Sequence, residues 1–209
     1  DIGWSKTRTS TWRGSAAAIR SSTTSANRTR SSWIANIEVA VVATAPSQGS
    51  AWFAVTSRVS VVTGSLPGGI VDAVVNPLAH DGIGVAIYDR VTVDSGSSLI
   101  CEAVDQLKSS DASVVVGIGG GSALDTAKAV AALATNPGSP LAYVGLHKVK
   151  NRPLSTIALP TTAGTGSEVS SWSVFTDDSR RLKVAMGAVL LYPTVALCDP
   201  VLTTGLAPP

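Results

Sequence analysis

Residues 114–130, VVVGIGGGSALDTAKAV, constrain this chain more than any other stretch. Valines and an isoleucine run into a glycine cluster, and the cluster opens directly into an alanine-rich helical pattern. Glycine at the tip of a buried strand costs backbone entropy and packs nothing, so Gly117, Gly119, Gly120 and Gly121 need a reason.

An anion cradle supplies one. Glycines let the backbone approach a ligand closely and adopt positive φ, and a helix start offers unpaired N–H groups at the positive end of its dipole. The Ser122 hydroxyl adds a cap and a further donor. The spacing Gly117, Gly119, Ser122 reads GxGxxS instead of GxGxxG, and no GK[ST] follows. Taken alone, the cluster is weak evidence, and a tight turn with close helix–sheet packing is the competing reading. Asp125 and Lys128 lie three apart on the same helix, whose other positions are mostly Ala, Val and Leu. So apolar a helix leaves such a pair facing the ligand crevice, buried as an ion pair, or on a solvated face. Proximity to the cradle favours the crevice.

The pattern around this unit defines the class. Strand signals at 36–45, 51–64, 83–91, 112–119 and 154–162 alternate with helical stripes. Residues 68–82 place Ile70, Val71, Val74, Val75 and Leu78 on one side, with Pro77 expected to kink or end the helix. Residues 96–111 turn Leu99, Ile100, Ala103, Val104 and Leu107 inward, and 122–135 is the third helix. Short β-like pieces follow at 170–176, 181–186 and 194–200. Near-continuous apolar strands alternating with helices predict an α/β fold, a doubly wound, mostly parallel, Rossmann-like sheet. Ligands of such sheets bind at the carboxyl ends of the strands.

Residues 1–50 differ in character. Lys6, Arg8, Arg13, Arg20, Arg28 and Arg30 face one acid, Asp1, before residue 38, in a stretch rich in Ser, Thr and Trp without periodicity. A tail without fixed structure, an Arg/Ser-rich leader and a segment foreign to the following domain are the three readings. Residues 51–209 form the expected dinucleotide-binding domain. A net charge of +2 and 44% apolar residues argue against a nucleic-acid partner. No apolar run reaches the roughly 20 residues that span a bilayer, so no membrane partner is expected. Cys101 and Cys198 form no CxxC pattern, and a reducing cytoplasm is the expected compartment.

The second motif is more specific. In ALPTTAGTGSEV, a strand ends at Pro160 and Thr161, Thr162, Thr165, Ser167 and Glu168 interleave with small residues. Such a loop can wrap a nucleotide with hydroxyls while its glycines permit close approach. Together, GGGSALDTAK at 119–128, PTTAGTGSEV at 160–169 and YPTVALCDPVLT at 192–203 resemble the iron-dependent (group III) alcohol dehydrogenase family. The resemblance runs from about Ser60 to Pro209.

What the resemblance implies is carried over position by position. Gly119, Gly120, Gly121 and Ser122 would hold the pyrophosphate of a nicotinamide dinucleotide. Thr161, Thr162 and Thr165 would line its nicotinamide-side ribose and phosphates, Lys183 would approach that ribose, and Asp125 would sit near the nicotinamide, the one candidate for a catalytic role. Where many members place an acid for the adenosine ribose, this chain has Gly64 and Ser65. Loss of that carboxylate removes repulsion of a 2′-phosphate, so NADP(H) is expected over NAD(H). Asp94 stands where the family often has a cofactor-contacting asparagine.

The resemblance also implies a divalent metal, Fe or Zn, held by an aspartate and three histidines of a helical domain. Those ligands are expected to lie beyond Pro209, so the helical metal-binding domain is expected to be absent from this chain. His80 and His147 match no ligand position and read as exposed loop histidines. Asp199 reads as structural. The implied reaction is hydride transfer between nicotinamide and a small alcohol or aldehyde, with this chain as the cofactor-binding half. The alternatives are a nucleotide-binding module without turnover and, ranked last, a metal-independent reductase. Apolar surface left uncovered would favour a homo-oligomer.

Overall fold

A computed structural model of the chain describes residues 58–67 and 69–204. The strand expected at 36–45 and the segment 1–50 lie outside the described residues. In chain order the elements are β1 (Arg58–Gly64), α1 (Ile70–His80), β2 (Gly84–Val91), α2 (Ser97–Ser110), β3 (Val114–Gly119), α3 (Gly121–Thr135), β4 (Gly145–Leu146), β5 (Ser155–Pro160), β6 (Trp172–Asp177), β7 (Leu182–Gly187) and β8 (Val195–Ala196), with short 3₁₀ turns between.

Five strands form one sheet in the order β2-β1-β3-β5-β8, every neighbouring pair parallel. Alternation along the central strands feeds two cores. Val59, Val61, Val114, Val116 and Ile118 meet Val74 and Leu78 of α1 on one face. Val62 and Val115 meet Ile100, Ala103, Val104 and Leu107 of α2 and the alanines of α3 on the other. The sheet is therefore wound on both faces, with the chain leaving β1 toward β2 on one side and reaching β3 on the other. Ligand crevices open where the strand order reverses in this way, here between the ends of β1 and β3.

Two local features bear on the site. Pro77 neither ends α1 nor lies in its middle: the helix runs on to His80, with Pro77 buried in the last turns. A proline there forfeits one helix bond. The pieces at 170–176 and 181–186 do not extend the parallel sheet. They form the antiparallel β6–β7 hairpin, which joins β4 in a separate three-stranded sheet. Helix α3 lies between that hairpin and the main sheet, which is why residues 123 to 133 are buried on every side.

Candidate functional site

The glycines divide by role. A Cβ on Gly117 would stand 2.8 Å from the Ala127 methyl, so this glycine seats α3 against β3 and does not face the crevice. Gly119 has φ +143°, and its Cβ would stand 2.8 Å from the Ala123 methyl, leaving glycine as the residue that makes the turn into α3. Gly120 is the N-cap, without a side-chain cap bond, and its carbonyl accepts from the amides of Ala123 and Leu124 at 3.0 and 3.1 Å. Among the described residues, the Gly121 and Ser122 amides donate to no protein acceptor.

β1 contributes the opposite wall. A Cβ on Gly64 would lie 2.3 Å from the Val91 carbonyl oxygen, at the point where the register of β1 against β2 shifts. The absence of a side chain there is thus demanded by strand approach, and Ser65 is the first position able to point a group outward. From β5, the Thr161 amide donates to the Gly119 carbonyl at 2.9 Å, which clamps the threonine loop beside the glycine turn. The Thr162 hydroxyl is buried without a hydrogen-bond partner among the described residues, and it would meet a Gly120 Cβ at 3.1 Å.

These pieces enclose a cleft of about 800 Å³ at the carboxyl ends of β1 and β3. Gly64, Ser65, Gly119, Gly120, Gly121, Ser122, Thr161 and Thr162 all line it. Residues the sequence reading missed complete it: Leu66 in the loop before α1, Ile70 and Ala73 at its start, Thr92 and Val93 after β2, and Leu202. Among the described residues, no charged side chain lines this cleft.

The remaining expected residues gather elsewhere. Asp94, Asp125, Thr165 and Lys183 line an adjoining cavity of about 360 Å³, floored by Ser170, Trp172, Phe175 and Thr176. Gly121 and Ser122 line both spaces and so form the ridge between them. The Asp94 carboxylate takes Lys183 Nζ at 2.7 Å. Asp94 has φ +58°, which an aspartate tolerates, and its amide donates to Ser122 Oγ at 3.3 Å.

Asp125 and Lys128 correct an expectation. They are a buried ion pair at 3.0 Å, with Lys128 1% and Asp125 10% exposed at the side chain. Asp125 only borders the second cavity, because its carboxylate also accepts from the Val174 amide at 3.0 Å. Lys128 donates to the Ser167 carbonyl at 2.9 Å, to Ser170 Oγ at 3.2 Å and to the Trp172 carbonyl. The lysine therefore ties the loop carrying Thr165 to α3. Burial pushes its pKa down, against the opposing pull of Asp125 and Glu168. Nothing in the local sequence marks this pairing over the crevice, since both place the side chains on the same helical stripe.

His80 is exposed beside Asp81, with Nδ1 3.0 Å from its carboxylate, and His147 is exposed at φ +55°. Among the described residues, no three His, Cys, Asp or Glu side chains come together. The described residues thus do not fit a divalent metal. They do fit an elongated anion: free helix-start amides, an unpartnered hydroxyl and a glycine turn face one cleft. Asp199 accepts from the Val201 amide at 2.9 Å and caps a 3₁₀ turn, the structural part expected of it.

Residues 47–200 match the iron-containing alcohol dehydrogenase family model. The chain belongs to that family. The match begins upstream of the Ser60 where the sequence resemblance starts. Choline dehydrogenase of Bacillus subtilis is 38% identical over 159 residues, 73% of this chain and 39% of that protein. NAD-dependent methanol dehydrogenase of Bacillus methanolicus is 37% identical over 132 residues, 63% of this chain and 35% of its own length. An iron-containing alcohol dehydrogenase structure from Thermotoga maritima superposes with a TM-score of 0.65 at 34% identity, covering 72% of this chain and 42% of that one. The chain thus spans about two fifths of the length of the family members it matches.

Proposed function

We propose that this chain provides the dinucleotide seat of an NAD(P)-dependent alcohol dehydrogenase or aldehyde reductase. One observation carries the reading. Eight of the residues singled out in the sequence converge on one cleft at the strand-order reversal, where α3 presents free amides and Thr162 an unpaired buried hydroxyl. Such a helix start suits a diphosphate. A bound nicotinamide would supply or accept the hydride that interconverts a small alcohol and its aldehyde.

The chain's own residues would divide the work. Gly120, Gly121 and Ser122 would grip the diphosphate on the ridge between the two spaces. The large, uncharged cleft beside Ser65 would take the adenosine end, and the cavity with Thr165 and Lys183 the nicotinamide-side ribose. Family membership and the names of relatives such as the methanol dehydrogenase support nicotinamide chemistry. The absence of a carboxylate at Gly64 and Ser65 supports NADP(H) over NAD(H). A cytoplasmic protein is the compartment we propose, and among the described residues no helix is long and apolar enough to cross a membrane. A homo-oligomer would cover exposed apolar residues such as Val189, Leu190 and Tyr192.

Titrating the full chain with NADP⁺ and NAD⁺ by calorimetry tests the seat. Saturable binding, tighter for NADP⁺, is the expected result, and no heat with either would refute the reading. Alcohol-dependent reduction of NADP⁺ by the same preparation, with and without added divalent metal, separates an enzyme from a binding module.

A further inference from the structure

We propose that Asp94 is a built-in counter-anion that sets dinucleotide affinity by occupying Lys183. This rests on the cofactor reading above and goes beyond it.

The backbone of Asp94 is held on both sides. Its amide donates to Ser122 Oγ at 3.3 Å, and its carbonyl accepts from Thr176 Oγ1 at 3.1 Å. With φ at +58°, that fixed backbone presents the carboxylate to Lys183 across the second cavity. Lys183 comes from β7 of the smaller sheet and Asp94 from the loop after β2, so the 2.7 Å pair bars the cavity from wall to wall. Among the described residues lining this cavity, Lys183 is the one basic side chain, and Asp94 and Asp125 are the acids. Asp125 is already engaged by Lys128, which leaves Asp94 alone to neutralise Lys183.

Lys183 and Asp94 are 63% and 52% exposed, and an ion pair so open to water is cheap to separate. A diphosphate on the Gly121–Ser122 ridge or a ribose in the cavity competes with Asp94 for the same ammonium. The bar therefore opens as ligand enters, and its cost subtracts from affinity. The 2′ end of the ligand would lie in the other cleft, so the tax falls equally on both dinucleotides.

Asp94→Asn tests this without disturbing the loop, because asparagine tolerates the left-handed backbone as well as aspartate. At low ionic strength the variant of the full chain should bind NADP⁺ and NAD⁺ about two- to fivefold more tightly than wild type. The gain should shrink toward 1 M salt, where the screening length falls to about 3 Å. Lys183→Met should weaken binding, and Asp94→Asn added to Lys183→Met should give no gain. Unchanged affinity for Asp94→Asn, with wild type binding normally, overturns the inference alone. A gain that survives in the Lys183→Met background also overturns it, since Asp94 would then act on the ligand and not through the lysine. If wild type takes up neither dinucleotide, the cofactor reading falls first and this inference with it.

Discussion

Lys128 Nζ stands 3.0 Å from Asp125 Oδ1, three residues away on a helix buried on all sides. The same ammonium holds the Ser167 and Trp172 carbonyls, so one cation joins helix α3, the threonine loop and the β6–β7 hairpin. The pair is an internal fastening beneath the site, and its energetics can be measured.

Lys128→Met leaves the Asp125 carboxylate buried without its cation and frees several backbone carbonyls. Removing one partner of a buried pair costs about 3–5 kcal/mol. Asp125→Asn should cost less, because Lys128 retains its carbonyl and hydroxyl acceptors. Urea unfolding of the two variants gives the comparison, and equal losses would contradict the multi-partner role of the lysine.

Tyr88 on β2 is 1% exposed and its hydroxyl donates to Glu102 at 3.3 Å. Burial, reinforced by the Glu102 charge, pushes its pKa from 10.0 up to about 12. The folded state therefore keeps a proton that the unfolded chain releases, and stability falls as pH rises from about 10 to 12. The loss attributable to this group is about 2–3 kcal/mol. Tyr88→Phe should flatten that part of a stability–pH curve, and an unchanged alkaline slope would show that the phenol is not its source.

Asp178 caps α2 from eighty residues away. Its carboxylate accepts from the Ser98 amide at 2.7 Å and from Ser97 Oγ at 3.1 Å, filling the space a Gly96 side chain would need. The Ser98 amide holds its pKa below the ordinary 3.8. Its contribution is present above the unfolded-state value and disappears as pH falls through the lower folded one. Asp178→Ala should cost about 1 kcal/mol at neutral pH, the usual worth of a helix cap, and the difference from wild type should close in acid. Thermal unfolding at pH 7 and pH 2.5 would reveal it.

Ser65→Asp restores a carboxylate beside the cleft at the end of β1. If that cleft takes the adenosine end, NADP⁺ should weaken roughly tenfold relative to NAD⁺, about 1.4 kcal/mol. Equal effects on the two dinucleotides would move the 2′ end elsewhere. Gly64 is the wrong place for this substitution, since its side chain would meet the Val91 carbonyl.

Much of this was legible in the residues alone. Alternating strands and helical stripes set the parallel sheet, because burial on both faces demands apolar strands. The glycine turn and the threonine loop were visible because each is a distinctive local composition, and the sheet brings their ends together at Gly119 and Thr161. What the tertiary structure decided were contacts between distant stretches. Asp94 meets Lys183, Asp178 meets Ser98 and Lys128 meets Trp172 only after the hairpin packs over α3. The same packing sorts the expected binding residues into two spaces with Gly121 and Ser122 between them. A helical stripe specifies which side chains share a face. Whether that face meets ligand, water or another charge depends on what folds against it, and periodicity carries no record of the partner.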